Sequence, residues 1–347
     1  MDTIEISLRI LKELNMMLIE MLIGDINSLV SPCGYTFCNV LEFSKSGNII
    51  VKISYPRYFF GNNAFLITKR SECFEVQKYF AKAIMEHEYW KDIIGELKLL
   101  RVDIPFTYYM NIDEEFRSYE NLYRIMGLVY NETKPKARPK AFIDMINNSM
   151  ETVIYSDNGK SDKTSNNKLM IYNQYLNLSQ KLDEEVLEDT LETYEDLPYR
   201  IRMEVSKRIR LRKSFDNEEF SNLDILGSYF EDYKKYILYY ALNKDKIDKL
   251  YDERTKELAE ILRERRALGN FNYEVFVLQN LDFIYDYEIL RRALRIEINN
   301  QNTRENSVTR VRKILNGIQQ ENNIIVMDTY AVLMKMRDAI INYRLMD

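Results

Sequence analysis

Three short stretches of this chain alternate ionisable with apolar side chains, and any chemistry is expected to start there. In Leu100-Arg101-Val102-Asp103-Ile104, Arg101 and Asp103 share one side of an extended backbone, and Val102 and Ile104 share the other. In Arg200-Ile201-Arg202-Met203-Glu204-Val205, Arg202 and Glu204 oppose Ile201, Met203 and Val205 in the same way. In residues 168–174, Tyr172 and Gln174 share a side with Lys168. If these strands are neighbours, one sheet face carries two carboxylates, a phenol and several cations. Two carboxylates about a strand spacing apart suit a hard divalent cation such as Mg or Mn. Such an ion polarises a phosphodiester, and a tyrosine phenolate can then attack phosphorus and become covalently linked to it. Free tyrosine titrates near ~10, so the phenol needs activation, and Arg101 and Arg202 are the groups to steady phosphate oxygens. Taken separately, each strand reads first as a solvated sheet face with cross-strand ion pairs. Tyr172 is also one of 26 tyrosines. The chemistry therefore depends on the strands meeting.

The elements that must position these groups can be read from periodicity. Alternation predicts strands at residues 3–10, 98–106, 151–156 and 168–178, and a hairpin of 36–43 with 48–55 around Gly47. Helical spacing predicts helices at 11–23, 71–97, 113–129 and 141–147. The loop 157–166 has no apolar residue and is expected to be exposed and mobile. Residues 182–196 hold eight acidic and no basic side chains, whereas 199–213 hold seven basic side chains against Glu204 alone. From residue 224 onward the pattern is helical, at 229–242, 246–266, 273–298, 306–320 and 327–343. The expected architecture is an α+β domain with an antiparallel sheet over residues 1–215, followed by an all-helical domain over 216–347.

Composition closes off several classes. The 347 residues include 49 basic and 54 acidic side chains, a net charge of -5, with 46% hydrophobic residues, enough for a sizeable core and too apolar for wholesale disorder. Ten glycines and six prolines exclude collagen-like and low-complexity chains and favour long helices. One histidine, His87, excludes a multi-histidine zinc site, so metal chemistry must use carboxylates; within Glu86-His87-Glu88 it reads as a solvated side chain. Three cysteines exclude a disulfide scaffold; Cys33 and Cys38 read as buried, reduced thiols. The most apolar early stretch, residues 16–23, is short and broken by Glu20, so no membrane segment is expected. The first residues lack a basic leader, and the expected location is the cytoplasm.

The order of four segments resembles the rolling-circle replication initiators of the filamentous-phage gene II type and their plasmid relatives. Ile53-Ser54-Tyr55-Pro56-Arg57-Tyr58-Phe59-Phe60-Gly61-Asn62-Asn63-Ala64-Phe65 resembles the family's Ser-Pro-x-Lys segment running into Gly-His-Asn and an aromatic. Leu100 through Phe106 resembles its Arg-Ile-Asp strand, 151–172 its strand-loop-strand unit with the nucleophile, and 200–205 its Arg-Phe-Glu-type strand. The resemblance implies a nickase-like fold and a DNA nicking-joining enzyme acting at a replication origin. Tyr172 matches the nucleophile, with Tyr155 on the preceding strand as the alternative. Asp103 and Glu204 match metal ligands for Mg or Mn. Arg57, Arg101, Lys160, Lys163, Lys168, Arg202, Lys207 and Arg208 are the expected DNA contacts, local basic groups that must act against an acidic net charge. Origin DNA, duplex and single-stranded, is the implied partner, with a host helicase and a second copy of the chain as further candidates. The chain departs from the family at Asn62, where a histidine is usual, and at Gln174, where a lysine is usual. A non-catalytic origin-binding protein on the same fold is the alternative, and a helical partner-binding protein without a DNA role is a third reading.

Overall fold

The structure, a computed structural model, describes residues 1–11, 15–43, 47–110, 119–133, 140–144, 149–156, 167–209, 213–280, 286–322 and 328–346. Its centre is one antiparallel sheet. In chain order the strands are β1 (Thr3–Ile10), β2 (Cys38–Phe43), β3 (Asn48–Ser54), β4 (Ile94–Tyr109), β5 (Lys140–Asp144), β6 (Ser149–Ser156), β7 (Asn167–Asn173), β8 (Arg200–Arg208) and β9 (Ser214–Phe215). In space the order is β2-β3-β1-β4-β8-β7-β6-β5, and β9 pairs with the start of β4 on the edge opposite β1, the edge that β8 takes further along. The strand β8 thus joins a four-stranded half to a three-stranded half, pairing with β4 on one side and β7 on the other.

Period-two alternation gives the sheet two unlike faces. Ile4, Ile6 and Leu8 of β1, Val102, Ile104 and Phe106 of β4, Leu169 and Ile171 of β7, and Ile201, Met203 and Val205 of β8 are all buried. Helices Ile225–Tyr240 and Thr329–Asn342 pack over β4 on this apolar face. There the Tyr233 hydroxyl donates to the Val102 carbonyl at 2.9 Å, and Phe106 meets Phe230 and Tyr343 at centroid separations of 5.4 and 5.7 Å. Residue 215 marks a change from strands to helices, but the core runs on across it. One cluster of buried side chains holds Ile104 and Met203 of the sheet together with Leu262, Leu290 and Ile340 of the helices. Among those helices, the buried Asp286 accepts from Glu288 N and Tyr330 N and from the Tyr251 hydroxyl, tying three segments to one carboxyl. Burial pushes that carboxyl up to about 7.

Several elements differ from the sequence expectation, each for an identifiable reason. The predicted helix at 141–147 is a strand where described, Lys140–Asp144, because the edge of β6 offers it ladder hydrogen bonds. The strand expected to continue to 178 stops at Asn173, whose side chain accepts from Leu176 N at 3.3 Å and caps a helix, Gln174–Ser179. The helical run expected over 71–97 is Arg70–Phe80, a π-helical turn Ala81–Met85, and then turns before β4. The first helix starts later, at Met16–Asn27, where Asn15 accepts from Leu18 N at 2.9 Å. The stretch 273–298 holds two helices, Tyr273–Gln279 and Tyr287–Glu297. Cys33 is exposed, whereas Cys38 and Cys73 are buried.

Gln77 joins the parts: its Nε2 donates to the Phe220 and Leu223 carbonyls at 2.7 and 2.9 Å, and its Oε1 accepts from the Tyr55 hydroxyl at 3.2 Å. Gln77→Leu leaves the buried Tyr55 hydroxyl unmet and removes one of the donors to each of the Phe220 and Leu223 carbonyls, and denaturant melts are expected to show a loss of about 1–3 kcal/mol.

Candidate functional site

The second face of the sheet is polar, and register determines which groups meet on it. Between β4 and β8, Asp103 stands opposite Ser206 and Pro105 opposite Glu204, so the two carboxylates are diagonal neighbours on one face. Between β7 and β8, Tyr172 stands opposite Arg202 and Met170 opposite Glu204. The Tyr172 hydroxyl therefore reaches diagonally and donates to Glu204 Oε2 at 3.1 Å. On the other flank, Thr3 stands opposite Asp103 and Glu5 opposite Arg101. Arg101 Nε lies 2.9 Å from Asp103 Oδ1, and Arg101 Nη1 lies 3.7 Å from Glu5. The three stretches read from the sequence do converge.

They line a cleft of about 470 Å³. Asp2, Asp103, Glu204 and Tyr172 contribute to its wall, as do the cations Lys52, Arg57 and Lys181. Arg202 lies deeper, 1% exposed, with Nη2 3.4 Å from Asp2 Oδ2 and Nη1 donating to the Asn63 carbonyl. It is withdrawn from solvent and acts on the site through its neighbours. Burial, reinforced by the Asp2 and Asp103 carboxylates, pushes the Glu204 carboxyl up to about 7. Burial likewise holds the Tyr172 phenol well above its ordinary value, with Arg202 opposing the rise and Glu204 adding to it. Desolvation lowers the Lys181 ammonium, and Glu204 and Asp2 oppose that shift.

The segment after helix Tyr55–Phe60 closes over this face. The Asn63 carbonyl accepts from Gln174 Nε2 at 2.9 Å as well as from Arg202, and the Ala64 carbonyl accepts from Gln174 Nε2 and Arg200 Nη1 at 3.1 and 2.9 Å. Asn62 Oδ1 accepts from Ala64 N at 2.9 Å. Asn62 and Gln174, the two departures from the resembled pattern, thus hold this covering segment in place.

Other expected residues fall elsewhere. Lys207 stands opposite Val102, on the apolar side, where it pairs with Asp232 at 2.6 Å and lies over the Tyr233 and Tyr236 rings. Arg208 is exposed and stands opposite Arg101, while Lys168 is half-buried opposite Ser206. Lys160 and Lys163 lie outside the described residues. Tyr155 stands opposite Leu169, on the row alternate to that of Tyr172, and its side chain also lies outside what is described. His87 is exposed in a turn. In the helical part, Arg291 and Arg292 pair with Glu288, and Arg310 and Arg312 lie over the Tyr273 and Tyr287 rings. Sequence reasoning missed Asp2, Lys52 and Lys181. The alternation of β3, which puts Lys52 and Ser54 on one row, was a signal for Lys52. Nothing local marked Lys181, which reaches the cleft because Gln174–Ser179 turns the chain back.

The carboxylates at the cleft are hard donors, as Mg or Mn requires. The repulsion that adds to the rise of Glu204 is one a divalent cation would offset, so the donor chemistry fits, and Asp103 and Glu204 are the groups that would hold such an ion. Among the described residues, no group of three or more His, Cys, Asp and Glu side chains is spaced to hold a metal ion. Among them, too, no helix is long and apolar enough to cross a membrane.

The displaced Glu204 titration has a consequence for stability. Its carboxyl rises from 4.5 to about 7 on folding, so between those values the folded protein keeps a proton that the unfolded chain has lost. Its contribution is therefore greatest below the unfolded value and is lost as pH rises through the folded one. Melting curves at about pH 5 and about pH 8 are expected to show a smaller decline in Tm for Glu204→Gln than for the wild type. No family model, no curated protein and no solved structure matches this chain. Its functional reading therefore rests on the site itself.

Proposed function

We propose that this protein initiates rolling-circle DNA replication by nicking and rejoining origin DNA through a covalent tyrosine intermediate. The observation that carries the reading is the Tyr172–Glu204 hydrogen bond of 3.1 Å, at a cleft shared with Asp103 and flanked by Lys52, Arg57 and Lys181. A buried phenol of raised pKa stays protonated near neutrality, so it needs a base to become a nucleophile. Glu204, itself raised to about 7, is matched to that work. In the proposed step a bond forms between Tyr172 Oη and phosphorus, and the bond from phosphorus to the 3′ oxygen breaks. The phenol proton passes to Glu204, and the departing 3′ oxygen takes a proton from water and leaves as a 3′-OH. The 5′-phosphate stays on Tyr172 until a 3′-OH attacks it and reseals the strand. The rim cations would draw phosphate oxygens into the cleft. A divalent Mg or Mn ion, held by Asp103 and Glu204, would supply charge neutralisation at the phosphodiester. Origin DNA, unpaired at the cut and duplex around it, is the proposed partner, in keeping with the resemblance of the ordered segments.

On a supercoiled plasmid carrying the cognate origin, with Mg or Mn, wild-type protein is expected to give open circles and a tyrosine-linked adduct. Tyr172→Phe is expected to reduce both by more than about a hundredfold, whereas Tyr155→Phe keeps them. Nicking is expected to rise with pH as Glu204 becomes able to accept a proton, with a midpoint below about 7 because the bound cation offsets the repulsion that raises its carboxyl. Full nicking by Tyr172→Phe would reject the assigned nucleophile, and a shifted band with neither nick nor adduct would leave a DNA-binding protein without this chemistry.

A further inference from the structure

We propose that Tyr35 and Phe60 form a stacking platform for unpaired nucleobases at the mouth of the cleft, a proposal that rests on the DNA-cutting reading above. Both side chains are large aromatics left open to solvent, Tyr35 at 42% and Phe60 at 37% exposure. Neither hangs free. Gly61 has a φ of 69° at the end of helix Tyr55–Phe60, and a Cβ added there would come within 2.6 Å of the Tyr35 ring. The ring therefore lies directly against the glycine backbone, which sets its plane. Phe60 is stacked on Phe65, with centroids 3.8 Å apart and 25° between planes, and Phe65 in turn meets Tyr194 edge-on at 4.2 Å.

Chain continuity puts these rings beside the cleft. Thr36 and Phe37, which follow Tyr35, line it, and so do Arg57 and Asn63, which flank Phe60. A ring already held in place gives up little conformational freedom when a second flat group settles on it. Nucleobases are such groups, and stacking on aromatic side chains accepts any base because every base has a π face. Lys52, Arg57 and Lys181, which share the cleft with Asp2, Asp103 and Glu204, are the contacts for the backbone that joins those bases. Arg57 lines the cleft and lies one turn before Gly61 in the helix that carries Phe60, so a strand whose phosphate meets Arg57 has its neighbouring bases within reach of Phe60 and of the Tyr35 ring on Gly61. The platform discriminates unpaired from paired DNA, because bases inside a duplex have no free face to offer.

The test separates base stacking from backbone attraction. Fluorescence anisotropy would compare an oligothymidylate of about ten nucleotides with an abasic oligomer of the same length and charge. Wild-type protein is expected to bind the oligothymidylate about tenfold or more tighter than the abasic strand. In the Tyr35→Leu/Phe60→Leu double variant, which keeps apolar bulk, that gap is expected to close. Tyr35→Trp, which keeps a flat ring, should preserve it. Equal wild-type affinity for the two oligomers, or a gap that survives in the double variant, overturns the platform and leaves the cutting reading standing. Failure of the wild type to bind either oligomer overturns both.

Discussion

Desolvated charge on one side of a β-sheet is the constraint around which this molecule is arranged. Asp2, Asp103 and Glu204 share a cleft, and carboxylates brought that near one another out of water are costly. Several groups offset the cost. Arg101 answers Asp103, Arg202 answers Asp2, and Glu204 receives the Tyr172 hydroxyl. None of these contacts survives a slip of one residue in register, since a slip would send every polar side chain into the helices and every apolar one into the cleft. The same pairing that stabilises the sheet therefore arranges the chemistry.

The covering segment extends this logic. Carbonyls of Asn63 and Ala64 are directed at Gln174, Arg200 and Arg202, so one donor of each of these side chains beneath the segment is met by backbone. The site is thus polar without being open, which strengthens each electrostatic contact within it. It also explains why a phenol can sit beside a carboxylate and keep its proton: burial and the Glu204 carboxylate disfavour the phenolate, and Arg202 only partly opposes them.

Much of this was legible from the sequence, and the reasons it was or was not are local. Alternation in Leu100 to Ile104 and in Arg200 to Val205 assigned each side chain to a face, because a strand's period is two whatever its neighbours are. Adjacency was not legible that way. That β8 lies between β4 and β7 was not read from the sequence, where adjacency of the three stretches stood only as a condition. Asn173 carried a capping signal that the apolar run after it obscured, so a helix was read as strand. Residues 140–144 lacked any signal, since the bare edge of β6 rather than their own composition makes them extended. Asn62 and Gln174 read as lost catalytic groups when compared with a family pattern, yet their hydrogen bonds give them a structural task. Lys181 was invisible because a single short helix decides where it ends up.

The position of β8 has a further consequence. It is the joint between the two halves of the sheet, and it arrives late, from residue 200 onward. While the chain is being synthesised, β4 and β7 must wait with open hydrogen-bonding edges, rich in Val, Ile and Leu, until well over half of it has left the ribosome. Unpaired edges of that kind recruit other strands. The interval before residue 200 emerges is therefore the one in which a stranger's strand competes for the place meant for β8.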